Sequence, residues 1–266
     1  MRRATMAAYV CMAICASAGP APTQGMLGGV DLTSPQMTQA EMTRADVEEI
    51  LAAATADKPA DLSGRRLAGL DLSGLNFTGA NMRVAVLNNA SLVNARLAEA
   101  TLDQAWLLDV DLSGADLTGA SLFAAQAIGA RFDGADLTGA RIIGDLTRAS
   151  LRNATLVNAR LGADMRNQSM GLGRAVLKSA SLDGADLTGA DLSRADLEFS
   201  SLRGANLSGV DFTSALLGGA SFDDATIEGA VFTGADLTST RLAGATGRDK
   251  AIGLDQALNL NRAILE

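Results

Sequence analysis

The chain contains no histidine, and its only tyrosine (Tyr9) and both cysteines (Cys11, Cys15) fall within the first fifteen residues. The rest of the chain therefore lacks the usual general base, the thiolate nucleophile and the commonest zinc ligands. Disulfides are excluded there on the same ground. Only three lysines occur (Lys58, Lys178, Lys250), so a Ser–Lys nucleophile pair has no positive support. A basic excess is missing too. Thirty acidic against 22 basic residues give a net charge of −8, which argues against broad nucleic-acid binding. There is no acidic loop of calcium-binding type and no glycine-rich phosphate loop before a helix. No catalytic, metal-binding or cofactor-binding residue is expected, so the reading is a non-enzyme without a cofactor. No stretch beyond the N-terminus is long and apolar enough to cross a bilayer. What is present is 48% hydrophobic residue in 266, too apolar for disorder and enough to bury a large core.

The first residues read as a targeting segment. Arg2 and Arg3 precede an apolar run from Ala4 to Cys15, and Ala16-Ser17-Ala18 supplies a small-x-small cleavage site. A signal peptide over 1–18, cut after Ala18, would make the protein periplasmic or secreted. The alternative is a short buried helix. Val10 and Ile14 precede the cysteines where a lipoprotein signal needs a small residue, and Arg2-Arg3 lacks a twin-arginine context. Residues 19–37, with Pro20, Pro22 and Pro35, read as a flexible leader.

From Ala60 onward the sequence repeats every five residues. Examples are Ala60-Asp61-Leu62-Ser63-Gly64, Ala115-Asp116-Leu117-Thr118-Gly119 and Ala185-Asp186-Leu187-Thr188-Gly189. Between Leu62 and Ile142, and again between Leu177 and Leu242, every fifth residue is a large apolar one, Ala127 excepted. Two positions earlier stands a small residue, nearly always alanine. On an α-helix, five residues advance about 500°, so the leucines would form no stripe. On a flat strand, residues five apart point to opposite faces. The chain must instead turn every five residues, with the leucine and the alanine inward and Asp, Asn, Ser, Thr and Gly at the outer and corner positions. Stacked coils then pair their backbone groups with their neighbours.

These A(D/N)LxG motifs, over residues 60–245, resemble those of the pentapeptide-repeat proteins. The resemblance implies an all-β fold, a right-handed quadrilateral β-helix with four pentapeptides per coil. Residues twenty apart would stack, giving roughly nine coils.

A solenoid needs caps. Thr38-x-x-Glu41 reads as a capping box, and Val47, Ile50, Leu51 and Ala54 share one helical face, predicting an N-terminal capping helix within 38–58. A helix that docks a partner is the competing reading. Residues 246–266, with Ile252, Leu254, Leu258, Leu260, Ile264 and Leu265, read as a C-terminal cap. In pentapeptide-repeat proteins that bind type II topoisomerases such a segment forms a dimer contact, which implies a possible homodimer here.

The register breaks over 143–176. After Ile142 the next inward residue is Leu146, four on. Leu161 to Met165 is read as a second step of four, followed by a two-residue insertion near Gly173-Arg174. Such breaks often mark a bulge or functional loop. Two residues would be too few for the long loops of some topoisomerase-protecting relatives. Residues 141–178 carry seven basic residues against Asp145 and Asp164, whereas 180–240 carry ten acidic ones against Arg194 and Arg203. Arg141 and Arg160 should stack one coil apart, an unfavourable approach unless an anion lies between them or the two side chains splay apart. Beside this belt, Val86 and Trp106, Leu108 and Ile128, and Phe123 and Ile143 occupy matching outward positions of successive coils. Six apolar side chains on one corner suggest a contact surface for a protein partner, unless the N-terminal segment folds back over them. The expected function is a non-catalytic structural or protein-binding solenoid of the cell envelope. The alternative that the resemblance implies is a DNA mimic acting on gyrase.

Overall fold

The computed structural model describes residues 29–163 and 173–266. The expected signal segment, most of the leader and Met165 lie outside the described residues. The chain divides into two compact units, Met1–Leu32 and Thr33–Glu266, and the repeat lies in the second.

That unit is a four-sided coil held by single-residue parallel bridges. Asp61 pairs with Asn81, Arg66 with Val86, Asp71 with Ser91 and Asn76 with Arg96, so four pentapeptides complete one circuit. The residues preceding each inward leucine thus form four columns, beginning at Asp61, Arg66, Asp71 and Asn76. Each corner is a β-turn closed by a bond such as Ala100 N to Leu97 O at 3.0 Å. The third turn residue has positive φ, 66° at Gly64 and 57° at Asn89, as a type II turn requires. Leucine amides donate to the next coil (Leu92 N to Asp111 O, 2.7 Å) and bridge-residue amides to the previous one (Asn81 N to Ala60 O, 2.8 Å). The inward leucines and alanines are buried from Leu62 to Ala245. Each large one contributes roughly 1.5–3 kcal/mol of transfer free energy before entropy. Near the C-terminal end, Phe212, Phe222 and Phe232 take over the core. Phe212 stacks on Phe232 with ring centroids 5.3 Å apart and meets Phe222 edge-on at 5.6 Å.

Aspartate precedes leucine, and a hydroxyl residue follows it, for a local reason. The carboxylate accepts the amide two residues on, as in Thr118 N to Asp116 Oδ1 and Thr138 N to Asp136 Oδ1. This Asx turn starts each corner.

The N-terminal helix differs from its expected form. Two short helices stand in place of one: α1, Pro35–Thr38, and α2, Arg44–Ala52. The first falls partly inside the stretch read as a flexible leader, with Met37 buried. The capping box is formed by Thr43 and Asp46, not by Thr38 and Glu41. Thr38 closes α1 by donating its hydroxyl to Ser34 O, and Glu41 pairs with Arg65 and Arg66. Both pairs fit the S/T-x-x-acid spacing, but Pro35 starts a helix early and Gln39 is extended. The cap satisfies carbonyls that have no preceding coil. Glu41 N donates to Arg66 O, while the Arg44 guanidinium donates to Asp71 O and Ser73 O. Val47 is fully buried, with Ile50 and Leu51 packed against the same core.

The last coil changes period. Ile252, Leu258 and Ile264 continue the first three columns at intervals of six, bridging Val231, Asp236 and Arg241. Three 3₁₀ turns, Arg248–Lys250, Leu254–Gln256 and Leu260–Arg262, take up the added residues. Ala251, Leu254, Ala257, Leu260 and Ala263 pack inward, while Ile252, Leu258, Ile264 and Leu265 are exposed.

Candidate functional site

Both register breaks fall on one corner, between the first and second columns. Arg141 is followed in the second column by Asp145, four residues on, as the spacing predicts. The shortened side is drawn tight against the coil above. A Cβ at Gly144 would collide with the Ala125 carbonyl oxygen, so this position admits only glycine without rearrangement. The second break is larger than its sequence expectation. Arg160 is followed in the second column by Val176, sixteen residues on where five is the rule, so eleven are extra rather than two. The error has a simple cause. Leucine and methionine recur often enough to suggest a continuing register across 161–177, whereas Arg160 and Val176 hold consecutive column positions.

The return limb is anchored. Ala175 N donates to Leu161 O and Val176 N to Gly144 O. Arg174 reaches Asp196 at 3.3 Å, and Lys178 reaches the same oxygen at 3.4 Å and Glu198 at 2.7 Å. The hydrogen bond to Glu198 raises the Lys178 pKa above its ordinary value.

The second column and its flanking turns bring the sequence-derived candidates together with differing exposure: Phe123 and Ile143 precede the column, and Leu108 and Ile128 follow it. Val86 is buried. Beside it Asn88, also buried, donates from Nδ2 to Met37 O and accepts from Leu108 N, so the segment carrying α1 lies along this part of the corner. Ile143 is buried, and a Cβ at Gly173 would lie 3.5 Å from its Cγ2 and 3.8 Å from Phe123 Cε2. Trp106, Leu108, Phe123 and Ile128 are half-buried. Arg141 and Arg160 are bridge partners on successive coils. The Arg141 guanidinium lies over the Phe123 ring, 4.1 Å from its centroid.

Two outward residues escaped the sequence reading. Val84 and Phe199 occupy third turn positions with φ of 58° and 60°, where glycine or asparagine is favoured. They are also exposed, at 48% and 69%. Their signal was in the repeat itself, as bulky residues at the glycine position. The Phe199 ring occupies the space a Cβ at Gly219 would need, 2.7 Å from Cδ1.

Among the described residues no group of histidine, cysteine and carboxylate side chains could hold a metal, and no helix is long and apolar enough to cross a membrane. A coil of this kind, carrying its features on the outside, defines the solenoid class. The pentapeptide-repeat family model matches eight copies, over residues 60–92, 85–119, 107–139, 172–209 and 205–244, and the chain belongs to that family. The matches skip 140–171, which holds the first break and most of the second.

Three solved structures illustrate the likeness. HetL, a pentapeptide repeat protein involved in heterocyst differentiation regulation from the cyanobacterium Nostoc, is 31% identical over 84% of this chain and 95% of its own, with a TM-score of 0.47. A pentapeptide repeat protein (Rfr23) from the cyanobacterium Cyanothece is 35% identical over 41% and 63%, with a TM-score of 0.29. QnrB1, a plasmid-mediated fluoroquinolone resistance protein, is 20% identical over 76% and 89%, with a TM-score of 0.31. No curated protein matches the chain.

Proposed function

We propose that this protein is a non-catalytic, protein-binding solenoid of the cell envelope, and that its second column, with the turns on either side of it, is the docking surface. The observation that carries this reading is the run of Trp106, Leu108, Phe123 and Ile128. They are large apolar side chains, half-buried at outward positions where the fourth column and its turns carry mostly Asp, Asn, Ser and Thr. Trp and its apolar neighbours supply desolvated contact area, and Arg141 and Arg160 supply charge that selects an acidic partner. Localisation in the periplasm or outside the cell follows from the reading of residues 1–18 as a signal peptide. The exposed Ile252, Leu258, Ile264 and Leu265 support a homodimer contact through the C-terminal segment.

The test is capture by cross-linking from the envelope fraction, comparing the wild type with Trp106→Ala and with Arg141→Glu/Arg160→Glu. A product lost in both variants supports the docking surface. A product captured equally by all three overturns it.

A second reading, a DNA mimic of the gyrase-binding kind, gains one observation. The eleven-residue excursion is long enough for the protruding loop that the resemblance attaches to that role, and the net charge of −8 suits it. Inhibition of gyrase supercoiling by an uncleaved cytoplasmic chain favours this reading. A mature chain beginning at Gly19 in the envelope removes it.

A further inference from the structure

Asp196 stands at an outward position of the second column, yet only 2% of it is exposed. A carboxylate removed from water in this way needs charged and hydrogen-bonding partners. Its Oδ1 accepts from Glu198 N, and its Oδ2 faces Arg174 at 3.3 Å and Lys178 at 3.4 Å. Arg174 also reaches Arg194 O at 3.5 Å, so one guanidinium ties the returning chain to the coil below at two points. Its neighbour Gly173 lies against Phe123 and Ile143, and Val176 N is bonded to Gly144 O of the shortened side. Lys178 is held at 2.7 Å by Glu198 and belongs to the regular coil, so it does not position the limb.

We infer that Asp196 is a positioning residue, a clasp that acts through Arg174 to hold residues 173–176 over Phe123 and Ile143. Opening the clasp enlarges the apolar corner. The reason is geometric: Gly173 and Arg174 are consecutive, so the ion pair that fixes one fixes the other. The two contacts lie on coils to either side of the excursion, Phe123 and Ile143 before it and Asp196 after it. The clasp therefore spans the break beside the backbone ladder that runs Asp145–Val176–Asp196, adding a side-chain tie to its bridges. Its bearing on partner access rests on the docking reading above, whereas its existence does not.

The test is amide hydrogen exchange on the full chain. Arg174→Gln removes a half-exposed charge and leaves Asp196 paired with Lys178, so this variant folds. Asp196→Asn keeps the Oδ1 acceptor and the side-chain shape while removing the charge. Both should accelerate exchange at Ala175 and Val176 about tenfold or more, and loosen the 141–146 segment in parallel. Exchange in the fourth column, at Asp136 and Asp186, should be unchanged. Arg174→Lys should restore most of the protection. A solvatochromic naphthalene dye should bind the two clasp-opened variants more than the wild type. Wild-type exchange at 173–176 in Arg174→Gln overturns the clasp. So does acceleration spread evenly over all coils, since that would mean the pair merely stabilises the fold. No partner is needed in these measurements, so failure of the clasp and failure of the docking surface are read separately.

Discussion

The second and fourth columns share one core and one backbone geometry, yet their outer faces have little in common. The fourth runs Asn76, Arg96, Asp116, Asp136, Thr155, Asp186, Asn206, Thr226 and Thr246, with Thr78, Thr118, Thr138, Thr188 and Ser208 at five of the following turns and Ala98, Val157 and Glu228 at the others. The second runs Arg66, Val86, Trp106, Gln126, Asp145, Val176, Asp196, Leu216, Asp236 and Leu258, and the eleven extra residues precede its Val176. Leucine and alanine inside, with a permissive third turn residue, are enough to build either column. The outward residues are left free of the fold's demands, so a departure from Asx-turn chemistry there is a feature to be explained by what the surface contacts. In a solenoid, where each coil touches only its neighbours, such departures accumulate without disturbing the rest.

The contrast is broken most severely from the inside. Phe222 is fully buried among Phe212 and Phe232, and Phe222→Ala should cost about 3–5 kcal/mol, lowering Tm by roughly 10 °C. Trp106→Ala, on the outer face of the second column, should cost about 1 kcal/mol or less while removing partner capture. Thermal unfolding of both variants beside the capture assay tests the separation. If Trp106→Ala destabilises as much as Phe222→Ala, the corner is part of a private core and not a docking surface.

Glycine sharpens the comparison at the next level. Gly144, on the shortened side, faces the Ala125 backbone, and Gly144→Ala should cost about 1–3 kcal/mol through overpacking. Gly139, on the fourth column's turn line, has φ of 64° and open space where a Cβ would sit. Gly139→Asn should therefore change stability by no more than about 0.5 kcal/mol. Chemical denaturation of the two variants decides this, and equal effects would mean that the short side is not constrained by close backbone approach.

A smaller effect of opposite sign is expected at the strained turns flanking the second column. Val84→Asn and Phe199→Gly relieve a left-handed conformation that bulky side chains adopt at a penalty of about 1 kcal/mol. Each should raise the unfolding midpoint slightly.

How much of this was legible follows from which interactions are local. The period of five places every inward leucine and alanine, and the four columns and the stacking of Arg141 on Arg160 follow once the family resemblance supplies four pentapeptides per coil. The step of four to Leu146 was legible for the same reason, since one missing residue still leaves a recognisable register. The excursion was not. Over 161–177 any leucine or methionine can be fitted to a nearby inward slot, and only pairing across coils shows that Val176, not Met165's neighbourhood, resumes the second column. The capping box was misplaced on a similar ambiguity, with Thr38/Glu41 and Thr43/Asp46 both satisfying the capping pattern. Pro35 and the extended Gln39 decide between them. The half-burial of the corner depends on Asn88 meeting Met37 and on Gly173 meeting Ile143, contacts between residues 30 or more apart that no periodicity encodes.

The smallest effect tests whether the Asx turn behaves alike in both columns. Asp236 stands in the second column but makes the fourth column's pattern, accepting from Thr238 N and Oγ1 as Asp186 does from Thr188. It also accepts from Asn259 Nδ2 of the last coil at 2.9 Å. The bonds from Asn259 first, then Thr238, hold its pKa below the ordinary 3.8. Because the folded value is the lower one, the folded state binds fewer protons, and the contribution is fully present above pH 3.8. It fades as the pH falls through the folded value. Asp61 and Asp71, in the first coil, are depressed by their bonds from Ser63 and Ser73 and carry the same sign. The wild type should therefore lose stability relative to Asp236→Asn as the pH is lowered from 6 towards 2. The gap between them should be widest near neutrality and close in strong acid. Thermal unfolding of both proteins across that range, with amide exchange at Asn259 as the local probe, measures it. A gap independent of pH would show that the second column holds its last coil by packing alone, with the carboxylate contributing nothing through its charge.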